Sequence, residues 1–170
     1  MTFTDSQAWF TVLLVLHVFG AIAGIGPSFA FSIIGPLAGK DPPNALLYTK
    51  LLLKIEKAMV VPTAYFLQPV TGALLIFNRS AIRSNFWQEE WLVISIAAYI
   101  AILVISVIDN KVLHRMVEMM EGGQAGTPEF MALAKKPPIF GPIMTVLVVV
   151  IAILMIWKPL SECAGPLIRC

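Results

Sequence analysis

The sequence predicts an all-α fold, a transmembrane four-helix bundle with both termini outside the cytoplasm. Three observations predict it. Composition comes first: of 170 residues, 58% are hydrophobic and 13% charged, with a mean hydropathy of +0.84. A soluble domain averages about 45–50% apolar and about 25% charged residues. The second observation is the length of the apolar runs, four of which reach the ~20 residues that carry a helix across the hydrocarbon core. The third is the uneven distribution of lysine and arginine between the connections. A net charge of +2 is too weak a field to argue for nucleic acid as a partner. The partner that composition demands is the lipid bilayer.

The chain reads as a single integral membrane domain over 1–170, with spans at about 9–34, 58–77, 91–108 and 139–157. The opening "MTFTDSQAW" holds no Lys or Arg, and the apolar run after it exceeds the ~7–15 residues of a signal-peptide core. The first span is therefore expected to be retained. It is long enough to tilt, and Gly26-Pro27 and Gly35-Pro36 are expected kink points. "GKDPPN" closes the first hairpin, with Asn44 as the expected N-cap of the next helix. Residues 45–57, "ALLYTKLLLKIEK", set Lys50, Lys54 and Lys57 among leucines and read as an interfacial extension of the second helix. Glu56, between basic residues in "KIEK", reads as part of a solvated, salt-bridged turn. The second connection is "NRSAIRSNFWQEE". "EGGQAGTPEF" and "KKPPIFGP" bound the third, which is the longest.

Lys40, Lys50, Lys54 and Lys57 fall in the first connection, and Lys111, Arg115, Lys135 and Lys136 in or beside the third. Arg79, Arg83, Lys158 and Arg169 fall on the other side. The richer side belongs in the cytoplasm. All four tryptophans (Trp9, Trp87, Trp91 and Trp157) then fall at the outer interface, where an aromatic belt belongs. Cys163 and Cys170 lie on that outer side, where an oxidising compartment would let them pair; two unpaired thiols in a frayed tail is the other reading.

Inside lipid, helices associate through close packing and polar contacts. Gly20, Gly24, Ser28 and Ser32 repeat every four residues along span one, and Gly20 to Gly24 is a GxxxG motif. This stripe, with Gly72 in span two, predicts close approach of a neighbouring helix. Ala64, Gln68 and Gly72 form a second stripe with Thr71 beside it. Pro62 and Pro69 leave carbonyls there that must find partners inside the bundle. Span three carries Ser95, Tyr99 and Ser106 and ends at Asp109. Span four has little polar content beyond Thr145 and is expected to face lipid most.

An ionisable residue inside the membrane is rare and tends to be functional. His17 is that residue, and Gln68, Ser95 and Tyr99 are the polar side chains expected around it. A neutral imidazole there can ligate haem iron, ligate a metal, relay a proton, or donate one hydrogen bond to a neighbouring helix. His114 lies beyond the other end of span three and cannot share a metal with His17. Met116, Met119 and Met120 come after it and read as packing before soft-metal ligation. No P-loop, GxSxG, HExxH or dinucleotide motif is present.

"LHVFGAIAGIGPSFA" and "KIEKAMVVPTAYFLQPVTGALLI" together resemble the first two helices of a bacterial family of four-span membrane proteins that carries the label domain of unknown function. The resemblance covers all four spans in order. More distantly, the same stretches are similar to the J-type protoporphyrinogen oxidase and to copper-resistance protein D. Leu16-His17 matches the oxidase family's Leu-His, and Lys54 to Pro62 its segment before a Pro-containing second helix. Ser95 in "WLVIS" stands where that family has a lysine. The resemblance implies a small polytopic protein of the bacterial inner membrane, associated with haem b or a metal through His17. The alternative from the residues is a non-catalytic accessory or structural subunit, docking through the GxxxG face into a homo-oligomer or a larger membrane complex.

Overall fold

The computed structural model describes residues 3–79, 82 and 85–157. Cys163 and Cys170, Arg83, Lys158, Arg169 and the side chain of Ser28 lie outside the described residues. Helix α1 (Phe3–Lys40) is 38 residues long and stays helical through Pro27 and Pro36. At 1.5 Å per residue it is roughly 57 Å long, well beyond a hydrocarbon core of ~30 Å.

A 3₁₀ turn over Pro42–Asn44 leads into a second rod that continues to Asn78. Asn44 does not cap it. Its Nδ2 donates to Asp41 Oδ2 at 2.8 Å, and the Tyr48 hydroxyl donates to the same oxygen at 3.1 Å, so Asp41 gathers the turn. The rod has three parts: α2 (Ala45–Ile55), a π-helical segment (Glu56–Leu67) and α3 (Gln68–Asn78). Helix α4 (Glu90–Glu121) comes next, then the short α5 (Pro128–Ala134), whose first turn is capped by Thr127 accepting from the Phe130 N–H, and α6 (Pro137–Trp157). Among the described residues there is no strand. The four long helical rods are each long and apolar enough to cross a membrane.

The helices form a closed ring. Helix α1 packs along the whole second rod, α2 packs on α4, α4 packs on α6, and α6 returns to α1. Helix α6 has no buried residue, as its near-absence of polar side chains predicts. The most buried apolar side chains cluster by depth: Leu13, Trp91 and Leu92 toward the tryptophan-bearing end, and Leu52, Val112, Leu113 and Met119 toward the lysine-rich end. Trp9, Trp87 and Trp157 are exposed, as an interfacial belt requires, but Trp91 turns inward and its indole N–H donates to Glu89. The outward faces carry Val15, Ile22, Ile33, Phe66 and Val146, all open to lipid. At the lysine-rich end, Lys50 pairs with Glu121 at 2.6 Å, and Arg115 with Glu118 and Glu129 at 3.3 and 3.2 Å. These pairs are exposed, so solvent screening leaves them little part in stability.

Candidate functional site

The glycines of the two predicted stripes meet at the crossing of α1 with the second rod. A Cβ on Gly24 would stand 2.9 Å from Thr63 Oγ1 and 3.2 Å from the Ala64 backbone nitrogen. One on Gly20 would stand 3.0 Å from Gln68 Oε1, and one on Gly72 would stand 3.2 Å from His17 Cε1. The backbones approach this closely because no side chain intervenes, which places the His17 ring directly over Gly72. Ser32, four residues further along the α1 stripe from Ser28, is exposed.

His17 is held at both nitrogens. Its Nδ1 lies 2.9 Å from Thr71 Oγ1 and its Nε2 lies 3.1 Å from Gln68 Nε2. Thr71 spends its own proton on the Leu67 carbonyl at 2.6 Å, so it accepts from His17 Nδ1–H. Nε2 then carries the lone pair and accepts from the Gln68 amide. The network therefore assigns a neutral ring protonated at Nδ1. This leaves Gln68 Oε1 buried and without a partner.

The π-helical segment supplies a second polar contact. Gln68 N–H donates to the Thr63 carbonyl five residues back, in the π register, instead of to Ala64. In that register the Ala64 carbonyl would be served by residue 69, which is proline and has no N–H. The Tyr99 hydroxyl of α4 donates to that carbonyl instead. One residue on, the Tyr65 hydroxyl donates to Ser106 Oγ at 2.9 Å. The π segment and α4 are thus bridged by tyrosines more than by close backbone approach.

Of the residues expected around His17, Gln68 touches it. Tyr99 reaches the Ala64 carbonyl, and Ser95 is 1% exposed with its hydroxyl on the Trp91 carbonyl of its own helix at 2.7 Å. Thr71 is the partner that the sequence does not single out, though it stands three residues after Gln68 and therefore on the same helical face. Glu56 is not part of a solvated turn. It is 4% exposed, and the signal for that is its place at the boundary between the lysine-studded and the apolar halves of the rod.

Haem or metal ligation fits these residues poorly. Either ring nitrogen of His17 would have to release a hydrogen-bond partner to reach a metal. Among the described residues, no three His, Cys, Asp or Glu side chains converge on a common point.

The geometry defines a membrane-spanning bundle with one imidazole clamped between its first two rods. The chain belongs to the family described as predicted integral membrane protein (DUF2269), whose model matches residues 11–159. No curated protein and no solved structure matches it.

Proposed function

We propose that this protein handles protons in the bacterial inner membrane, with His17 as the exchanging group and the lysine-rich end in the cytoplasm. The observation that carries the reading is the pair of partners on the ring. Thr71 accepts from Nδ1–H whatever the charge on the ring, and Gln68 can reverse its role. When Nε2 takes up a proton it needs an acceptor, and turning the Gln68 amide over puts Oε1 where the amide nitrogen stood, with almost no change of shape. The buried, unpartnered Oε1 is the atom that this turn would satisfy. Nδ1–H keeps its bond to Thr71 in both states.

The haem b or metal association implied by the distant resemblances needs Gln68 to withdraw from Nε2. The accessory-subunit reading loses its docking face, because Gly20 and Gly24 are covered by the second rod of the same chain. Proton exchange uses the site as it stands.

Nitrogen NMR of histidine-labelled protein in bilayers tests the reading. His17 is expected to give a neutral, Nδ1-protonated signal at alkaline pH and a reversible imidazolium signal on acidification. Gln68→Leu is expected to suppress the imidazolium by removing its acceptor. A Soret band in protein from a haem-supplied host that disappears in His17→Ala would return the site to haem. Orientation is checked separately. In a Cys163→Ser/Cys170→Ser background, Gln124→Cys, in the connection between α4 and α5, is expected to be labelled only from the cytoplasmic face.

A further inference from the structure

The lysine-rich end holds a second polar cluster, on α4 and the first turn of the π segment, that the His17 site does not use. Glu56 is the one charged side chain among the described residues that is buried, at 4% exposure. The Asn110 amide and the Ser106 hydroxyl of α4 face its carboxylate within hydrogen-bonding reach, and His114 and Asp109 are close enough for their charges to act on it. Asp109 Oδ1 is buried and has no partner. Every ion pair formed at this end among the described residues is exposed, and none includes Glu56 or Asp109.

The remaining neighbours do not neutralise the pair. Tyr65 faces Glu56 from the π segment and gives its hydroxyl proton to Ser106. Helix α1 has no Asp, Glu, Lys or Arg from Ser6 to Gly39. On the second rod, Lys50 is paired with Glu121, and Lys54 and Lys57 are exposed. Lys111 and His114 of α4 are exposed. Two neighbouring carboxylates, with the exposed His114 as the basic group that acts on Glu56, resist ionising together where the dielectric is low.

We propose that Glu56 and Asp109 form a one-proton site: together they bind a single proton at neutral pH and exchange it with water at the lysine-rich end past the exposed His114. The site deepens the proton-handling reading by giving that reading a second group on the opposite side of the Tyr65 and Tyr99 bridges. It stands on its own residues, so its test can fail or succeed apart from that of His17.

The test is infrared difference titration of the protein in phosphatidylethanolamine–phosphatidylglycerol liposomes, in H₂O and D₂O. The wild type is expected to retain a deuterium-sensitive protonated-carboxyl band at neutral pH. Glu56→Gln and Asp109→Asn are near-isosteric, and each removes the repelling neighbour of the other. In each, the band is expected to vanish at a pH at least ~1 unit lower. The double variant is expected to lose it altogether, and His17→Asn to keep it. No neutral-pH band in the wild type overturns the site, as does an unchanged midpoint in both single variants. Carboxylate bands that instead shift on adding NaCl or CaCl₂ would make it a cation site and overturn it equally. A band that behaves as expected while the His17 signal never titrates leaves this site intact and removes the His17 reading alone.

Discussion

Replacing Gly24 by leucine is expected to loosen α1 from the second rod more than the same replacement at any other glycine of that helix. The first added carbon already falls 2.9 Å from Thr63 Oγ1 and 3.2 Å from the Ala64 nitrogen. The second of those neighbours is backbone and cannot swing away. Overpacking of this kind costs ~1–3 kcal/mol, occasionally more, and here the whole α1 interface must shift to relieve it. Gly26 and Gly35 provide internal controls, since a Cβ on either meets nothing within 4 Å. Unfolding titrations in mixed micelles should rank Gly24→Leu well below Gly26→Leu and Gly35→Leu, with Gly24→Ala between. Equal stabilities for Gly24→Leu and Gly26→Leu would mean that the close crossing does not hold the bundle together.

Tyr99→Phe is the second change with a large expected effect. Polar contacts between membrane helices average only ~0.6 kcal/mol because most side chains find another partner. The Ala64 carbonyl has no such alternative. Gln68 N–H is committed to Thr63, residue 69 is proline, and Tyr99 supplies the missing donor. Removing that hydroxyl strands a backbone acceptor where no water can replace it, at a cost of ~1–3 kcal/mol. Tyr65→Phe breaks a bond between two side chains, Tyr65 and Ser106, and is expected to cost closer to the average. The difference between the two variants, measured in the same unfolding assay, isolates the effect of the proline in the rod.

Much of this is legible in the residues. The four spans, the Gly20–Gly24 packing surface and the lipid-facing α6 come from run length, residue size and the near-absence of polar side chains. Pro62 and Pro69 point to carbonyls needing partners, but not to which helix supplies them. That depends on the register of the segment between them, and a change from i−4 to i−5 bonding leaves no mark on composition. The same register explains why Tyr99, expected beside His17, is found instead at the Ala64 carbonyl, four residues before Gln68. Ser95, expected to look inward for a partner, bonds its own helix, as a hydroxyl four residues after a carbonyl readily does. Glu56 departs from its expected place because a glutamate among lysines suggests a solvated turn, whereas its exposure is decided by α4, far away in sequence. Trp91 differs from the other tryptophans for the same reason: depth in the membrane is readable, rotation about the helix is not.

The ring order of the helices also bears on how the chain is assembled in the bilayer. Helix α1 packs on the rod after it, and α4 on α6, so each half of the sequence is a hairpin whose arms already touch. The first hairpin holds the His17–Gln68–Thr71 clamp complete in itself. The Ala64 carbonyl and the Glu56 carboxylate of that hairpin lack their α4 partners until the second hairpin joins. During biogenesis those groups are therefore the unsatisfied edge of a half-built protein. The arrival of α4 is what turns that edge into an interior.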